Sequence, residues 1–320
     1  MNIELLAMTQ NPIDVMYVAA RTCYSPNTPT ELYNRAIFDA KEKKLELVKK
    51  VLKSGHYSIA EHINFTFAIE EISRACSHQL VRHRLCTFSQ QSQRYVEIKE
   101  NLEVLKEYQD AMRDNNTDAL REVADDIIEI CNKYFVLPEK VLDYLPYINC
   151  LIEYTQKIQD GEKPEDARMY LPNCTKTNIV LTTNLRNLIH MCGLRLCTRA
   201  QKEIRKVFEG MKAVVLAAGG ELYSDFFDSL LKPQCLQLGF CPENNCCGRA
   251  ITKQEMLEAF DKYLLHSDDE VTDSNGEPLA ERIADEGVQK ALDTIFSEKT
   301  LADEAHKQLG DALDVQTNSN

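Results

Sequence analysis

The residue types best suited to chemistry lie in residues 71–95, Glu-Ile-Ser-Arg-Ala-Cys-Ser-His-Gln-Leu-Val-Arg-His-Arg-Leu-Cys-Thr-Phe-Ser-Gln-Gln-Ser-Gln-Arg-Tyr. Between Ile72 and Val96 there is no Asp or Glu but four Arg and two His, in a chain whose net charge is −13. Guanidinium groups are planar forks that match phosphate and carbonyl edges. The amides and hydroxyls of Gln79, Gln90, Ser92 and Gln93 match the donor and acceptor pattern of a base. Together these make the donor set of a nucleotide pocket. An Arg run on a helix is by itself a solvated face, and the lack of any carboxylate over this length argues against that reading. A second segment, residues 167–202, is also free of Asp and Glu. It carries Arg168 ahead of Met-Tyr-Leu-Pro, then Asn184, Arg186, His190 and Arg195.

Other candidate sites are weaker. His56, Glu61 and His62 lie within seven residues, but their spacing fits no zinc pattern, and solvated or capping roles account for them. Cys235, Cys241, Cys246 and Cys247 are separated by five and then four residues. Zinc motifs use two to four, so a reduced, packed turn is expected and no metal is assigned. Ser92 has no base visibly paired with it, and an unactivated hydroxyl attacks poorly. Cys86 is the nearest thiol, and nothing assigns it a covalent role.

Read as one pattern, Arg82-His83-Arg84, seven residues, then Ser92 and Arg94 resembles the signature of the flavin-dependent thymidylate synthases. Ser73-Arg74-Ala75, His78-Gln79-Leu80-Val81, the early Ala19-Ala20-Arg21, and Asn184-x-Arg186 followed by Arg195 are similar to that family as well. The resemblance runs to about residue 230. It implies reductive methylation of dUMP to dTMP, with methylenetetrahydrofolate as carbon donor, FAD as the hydride-carrying cofactor and NADPH as its reductant. It implies dUMP contacts from Gln79, Arg82, Gln90, Ser92, Gln93, Arg94, Arg168 and Arg195. FAD contacts are implied for Ser58, Arg82, His83, Arg84, Gln90, Asn184, Arg186 and His190, with His56 near flavin and folate. Arg195 takes the catalytic role: a fixed cation beside the uracil ring stabilises the charge that develops on its oxygens and N3. Some relatives carry Glu at the Gln90 position, so an acid–base role there is in doubt. The family assembles as homotetramers with shared sites, and the same is implied here.

These residues need elements to hold them. Residues 1–8 read as a strand, 12–21 as a helix entered at Pro12, and Thr30 as the cap of one long helix carrying Leu32 to Leu52 and stopped at Ser54-Gly55. A strand is expected over 64–69. A helix is expected through Val81, with Ile72, Ala75, Cys76 and Leu80 or Val81 as its apolar stripe, then a loop and an extended segment ending at Tyr95 and Val96. Residues 97–160 read as two or three surface helices without chemistry, interrupted near Asn115-Asn116 and Pro138. A β-branched run follows over 175–183, then a helix capped at Thr183-Asn184 and another over 201–218 ended by Gly219-Gly220. The resemblance implies an α+β fold of central helices flanked by an antiparallel β-sheet. Beyond its reach, composition and two weakly amphipathic segments near 253–264 and 280–296 lead to the expectation of an acidic, mostly helical or disordered C-terminal tail. Residues 1–230 would form the flavin- and nucleotide-binding catalytic domain, and 231–320 a Cys-containing turn with the acidic extension.

Composition excludes several classes. The chain has 320 residues, 44% hydrophobic and 27% charged, with ample core for a globular enzyme. Residues 251–320 hold 17 Asp or Glu against six Lys or Arg, most of the imbalance. A general nucleic-acid binder is therefore not expected. No apolar run spans a bilayer, and the N-terminus lacks a secretory pattern, so a cytoplasmic protein with reduced thiols is expected. Two other readings remain open at this point. One is a non-enzymatic RNA or nucleotide binder using Arg74, Arg82, Arg84 and Arg94 with Phe88 and Tyr95. The other is a metalloenzyme built on His56, Glu61, His62 and the Cys235–Cys247 loop.

Overall fold

Alternation of apolar and polar residues builds the sheet. In β2, Asn64–Ser73, the residues Phe65, Phe67 and Ile69 are buried while their neighbours face outward. The partner strand β4, Lys176–Asn184, buries Thr177, Ile179, Leu181 and Thr183 in the same rhythm. The two strands pair antiparallel, Phe65 opposite Thr183, Phe67 opposite Leu181 and Ile69 opposite Ile179. β1, Asn2–Met8, pairs with the outer edge of β2, and β3, Thr87–Gln90, with the outer edge of β4. The result is a four-stranded antiparallel sheet ordered β1-β2-β4-β3. Each fully buried Phe or Ile contributes roughly 1.5–3 kcal/mol. The computed structural model describes residues 1–138, 140–141 and 143–265; the expected acidic segment at 280–296 lies outside them.

The described chain divides into two compact units. The first comprises Met1–Gln10, Ile63–Asn187 and Lys206–Ala217; the second comprises Asn11–His62, Leu188–Arg205 and the chain from Ala218 on.

In the first unit the sheet is accompanied by three helices, α5 (Leu102–Arg113), α6 (Thr117–Tyr134) and α7 (Leu145–Gln159). The sequence leads one to expect surface helices here, yet they enclose a core of their own. Leu105, Tyr108, Val123, Ile127, Cys131, Ile148 and Leu151 bury together with Phe135 at helical spacing. The interruption expected at Asn115-Asn116 is present. Asn115 adopts a left-handed φ of 49°, and the Asn116 side chain accepts the Ala119 amide, capping α6.

In this unit the boundaries around α4 and β3 differ from the sequence expectation. The helix expected to run through Ile72 starts two residues later. Ile72 and Ser73 end β2, and Ser73 Oγ accepts the Cys76 amide at 3.0 Å, so α4 spans Arg74–Leu80. The extended segment expected to reach Tyr95 stops at Gln90, where pairing with β4 ends, and the chain then turns, with the Tyr95 and Val96 amides donating to Ser92 O. Between Ile69 and Ile72 the register shifts, and Glu71 sits in the bulge at φ 56°. Its amide donates to Asn178 Oδ1 at 2.9 Å. Its carboxylate meets the N-terminal amine at 3.0 Å and Lys176 at 3.4 Å. These cations hold the Glu71 carboxyl below the usual range, the amine's hydrogen bond being the larger cause.

The second unit is helical. α1, Pro12–Thr22, opens with proline at its first position. The single long helix expected from Thr30 is instead two. α2 is Pro29–Ala36, capped by Thr28 in a reciprocal box with Glu31, and α3 is Lys41–Lys53. Between them Lys44 reaches inward, 3% exposed, to Asp14 Oδ1 at 2.6 Å and the Ala36 carbonyl at 2.6 Å. A two-turn 3₁₀ segment, Tyr57–His62, follows the left-handed Gly55. α8 (Pro164–Ala167) belongs to the first unit, while α9 (Leu185–Arg195) and α10 (Lys202–Leu230) contribute residues to both units. α10 is interrupted at Gly220, φ 60° and ψ −171°, so the helix expected to end at Gly219-Gly220 bends there and resumes. α11 (Gln234–Leu238) and α12 (Lys253–Leu265) complete the described chain. Among the described residues no helix is long and apolar enough to cross a membrane.

Candidate active site

The first unit gathers eleven of the fifteen candidate residues: Gln79, Arg82, His83, Arg84, Gln90, Ser92, Gln93, Arg94, Arg168, Asn184 and Arg186. β4 is the floor that positions them. Gln90, the last residue of β3, donates from Nε2 to Ser77 Oγ at 2.9 Å and to Thr177 Oγ1 at 3.2 Å, which ties α4 to β4. Arg74, the first residue of α4, donates to the same Thr177 hydroxyl at 3.3 Å and to Gln91 O at 3.4 Å. Its guanidinium is pushed below its ordinary pKa first by burial and then by the like charge of Arg168.

A cationic group thus converges at the end of β3. Arg94 contacts Glu165 Oε2 through both Nε and Nη2, each at 2.8 Å. Arg168 donates from Nε to the Glu165 carbonyl at 3.0 Å. Three arginines with one carboxylate among them form a place for an anion. Beside it lies a cleft of about 190 Å³ bordered by Ser92, Gln93, Glu97, Lys133, Lys176 and Asn178. Residues 97 and 133 fall in the region where the sequence shows no chemistry.

The Arg82-His83-Arg84 turn is organised by its middle residue. His83 is buried and meets Phe208 edge-on at 6.0 Å, while Arg82 and Arg84 on either side are exposed. The turn is fixed from behind by Asn187. Its Nδ2 lies within hydrogen-bond distance of Leu85 O (3.2 Å), Cys86 Sγ (3.1 Å) and Thr183 Oγ1 (2.9 Å). Burial pushes the Cys86 thiol up, with Thr183 and Asn187 opposing, a shift that disfavours its thiolate form. Asn184 accepts the Asn187 amide at 2.9 Å and so caps α9, as expected from Thr183-Asn184.

His56, Ser58, His190 and Arg195 belong to the second unit. His56 and Ser58 are exposed around the Tyr57–His62 turn, and His190 is exposed on α9. Arg195 is half-buried and lines a cavity of about 360 Å³ together with Arg199, Cys197, Cys235, Cys241 and Cys247. Among the described residues no three His, Cys, Asp or Glu side chains are grouped so that they could hold a metal ion. Sequence reasoning missed Glu165, Thr177, Asn178 and Asn187. Glu165 stands three residues before Arg168 and was the one with a readable signal.

Helices beside a four-stranded antiparallel sheet define a class of fold seen in a crystal structure of thymidylate synthase X from Helicobacter pylori with FAD and dUMP. The TM-score is 0.54 at 21% identity, covering 72% of this chain and all of that one. Sequence comparisons then give the family. The profile described as thymidylate synthase complementing protein matches residues 4–218. The flavin-dependent thymidylate synthase of Pyrococcus furiosus is 35% identical over 251 residues, 76% of this chain and 90% of its own length. That of Geobacter sulfurreducens is 36% identical over 251 residues, 78% of this chain and 95% of its own. The chain belongs to the flavin-dependent thymidylate synthase family of enzymes.

Proposed function

We propose that the chain methylates dUMP reductively to dTMP, with methylenetetrahydrofolate giving the carbon and NADPH reducing the flavin. The observation that carries this is the gathering of three arginines near the end of β3: Arg94 meets the Glu165 carboxylate, Arg168 donates to the Glu165 carbonyl, and Arg74 feels the like charge of Arg168. The cluster suits the nucleotide phosphate, with Arg82, Gln79, Ser92 and Gln93 around the sugar and base. Gln90 uses its amide nitrogen within the protein, so it offers a ligand its carbonyl oxygen.

The donor set also fits FAD: exposed forked donors at Arg82 and Arg84, with Asn184, Arg186, His190 and Ser58, suit a diphosphate and the polar edge of a flavin ring. Bound and reduced, that cofactor supplies the hydride. The residues of this chain bind and orient. Arg195 keeps its charge at every working pH; in this reading it lies against the uracil carbonyl edge and favours the ionised ring. Catalysis uses no covalent enzyme nucleophile. The family's homotetramer with shared sites is carried over, as are a catalytic segment at 1–230, an extension at 231–320 and a place in the cytoplasm.

The test is a flavin absorbance scan of the purified protein with and without dUMP, paired with the Arg195→Ala variant. A yellow protein whose spectrum shifts with dUMP is expected. The variant should keep its flavin and lose turnover by about 10²–10³. A colourless protein, or a variant with near-normal turnover, would sink the reading.

A further inference from the structure

The second unit holds a thiol-lined cavity that the proposed reaction does not use. Cys197, Cys235, Cys241 and Cys247 line its roughly 360 Å³ beside Arg195 and Arg199. Cys246 lies next to it: its Sγ is 3.2 Å from the Ala250 carbonyl and accepts the Gly248 amide at 3.3 Å. The loop that carries these thiols is closed at its base, where the Cys241 amide donates to Ile251 O at 2.7 Å and Cys241 bridges Thr252. All are free thiols, but they differ in reach: Cys235 and Cys241 are buried and Cys247 is exposed.

The difference in reach is also a difference in reactivity. Burial pushes the Cys235 and Cys241 thiols up. The Cys247 thiol is held below the ordinary range, first by the Thr198 hydroxyl and then by the Arg249 amide. An exposed thiol whose pKa is lowered, lining one cavity with buried thiols, is the arrangement of an attacking and a resolving cysteine.

We propose that Cys247 is a peroxide-reactive cysteine whose oxidised form is resolved by a second thiol of the same cavity, forming a disulfide beside Arg195. The Cys247 thiolate attacks the terminal oxygen of a hydroperoxide. A sulfur–oxygen bond forms, the peroxide bond breaks, and the leaving oxygen takes up a proton as alcohol or water. Sulfur is oxidised by two electrons to a sulfenic acid and the peroxide is reduced. A neighbouring thiol, Cys241 first among them, then attacks that sulfur. The sulfur–oxygen bond breaks, and the thiol's proton leaves with the hydroxyl as water. Two thiols and one hydroperoxide thus give one disulfide, one alcohol or water, and one water. The new bond pins the loop that shares a cavity with Arg195.

The experiment uses the full chain and needs no turnover, so it stands apart from the reading of the catalytic function. A short iodoacetamide pulse is followed by peptide mass mapping, with exposed Cys23, which is not among the cavity-lining residues, as the internal comparison. Cys247 should label about tenfold faster than Cys23. In a separate sample that has not been alkylated, hydrogen peroxide should yield a cross-linked peptide joining Cys247 to Cys241, Cys235 or Cys197, reversible with dithiothreitol. Cys247→Ser should abolish the cross-link and leave Cys23 labelling unchanged. Cys241→Ser, Cys235→Ser or Cys197→Ser, whichever removes the thiol that the cross-link reaches, should leave the sulfenic acid to be trapped by dimedone. Equal labelling of Cys23 and Cys247, oxidation without an intramolecular cross-link, or a tightly bound zinc ion masking these thiols would each overturn the proposal.

Discussion

At the scale of single residues, what matters is the company each side chain keeps. Ser92 shows this. Its hydroxyl accepts the Arg94 amide at 3.2 Å, and its carbonyl accepts the Tyr95 and Val96 amides. Ser92 shapes the turn that delivers Arg94 to Glu165. Ser92→Ala should therefore reduce dTMP formation by no more than about tenfold, the cost of one lost hydrogen bond. Complete loss of turnover with normal nucleotide binding would contradict this. Residue types were legible in the sequence, because arginines without acids nearby stand out in an acidic chain. Their pairings were not. Nothing in the sequence says that Glu165 lies against Arg94, 71 positions away, or that Asn187 holds the turn at Leu85 and Cys86.

At the scale of elements, legibility followed the strength of the local signal. The alternating strands and the Asn115-Asn116 break were readable because each rests on nearby residues. The cap expected at Thr30 stands instead at Thr28, whose box partner Glu31 lies three residues on. The start of α4 was not readable, since Ile72 satisfies both a strand and a helix stripe, and the pairing of Ile72 with Thr177 decides it. Close packing leaves no local trace either. A Cβ on Gly210 of α10 would come within 2.8 Å of Ile3 Cγ1 on β1. In an open helix Gly→Ala stabilises by about 0.5–1 kcal/mol. Here the clash reverses the sign, and Gly210→Ala should destabilise by about 1–3 kcal/mol. A melting temperature equal to or above that of the parent protein would show that Ile3 gives way.

At the scale of the whole molecule, the path of the chain and its charge set the terms. The chain crosses between its two units five times within the first 218 residues, so neither unit is a continuous piece. Composition marks only where charge changes and carries no trace of that interleaving. The charge itself is readable. Residues 266–320 hold 14 acidic and four basic residues, and their removal takes the net charge from −13 to −3. dUMP is an anion, and a field of like sign slows its approach. A chain ending at residue 265 should bind dUMP with a faster on-rate at low ionic strength, the gain fading above about 0.2 M salt as screening shortens the range of the field. Stopped-flow flavin fluorescence measures this, and a salt-independent difference would rule out the electrostatic cause.

The bend at Gly220 turns on handedness. Nothing lies within 4 Å of where the Cβ of an L-residue would sit, so no clash bars L-alanine, but a φ of 60° with ψ of −171° is closed to ordinary L-residues. Its mirror image is the relaxed polyproline conformation. A semisynthetic chain carrying D-alanine at position 220 should therefore melt at or above the temperature of the glycine protein, while L-alanine at the same spot should melt below it.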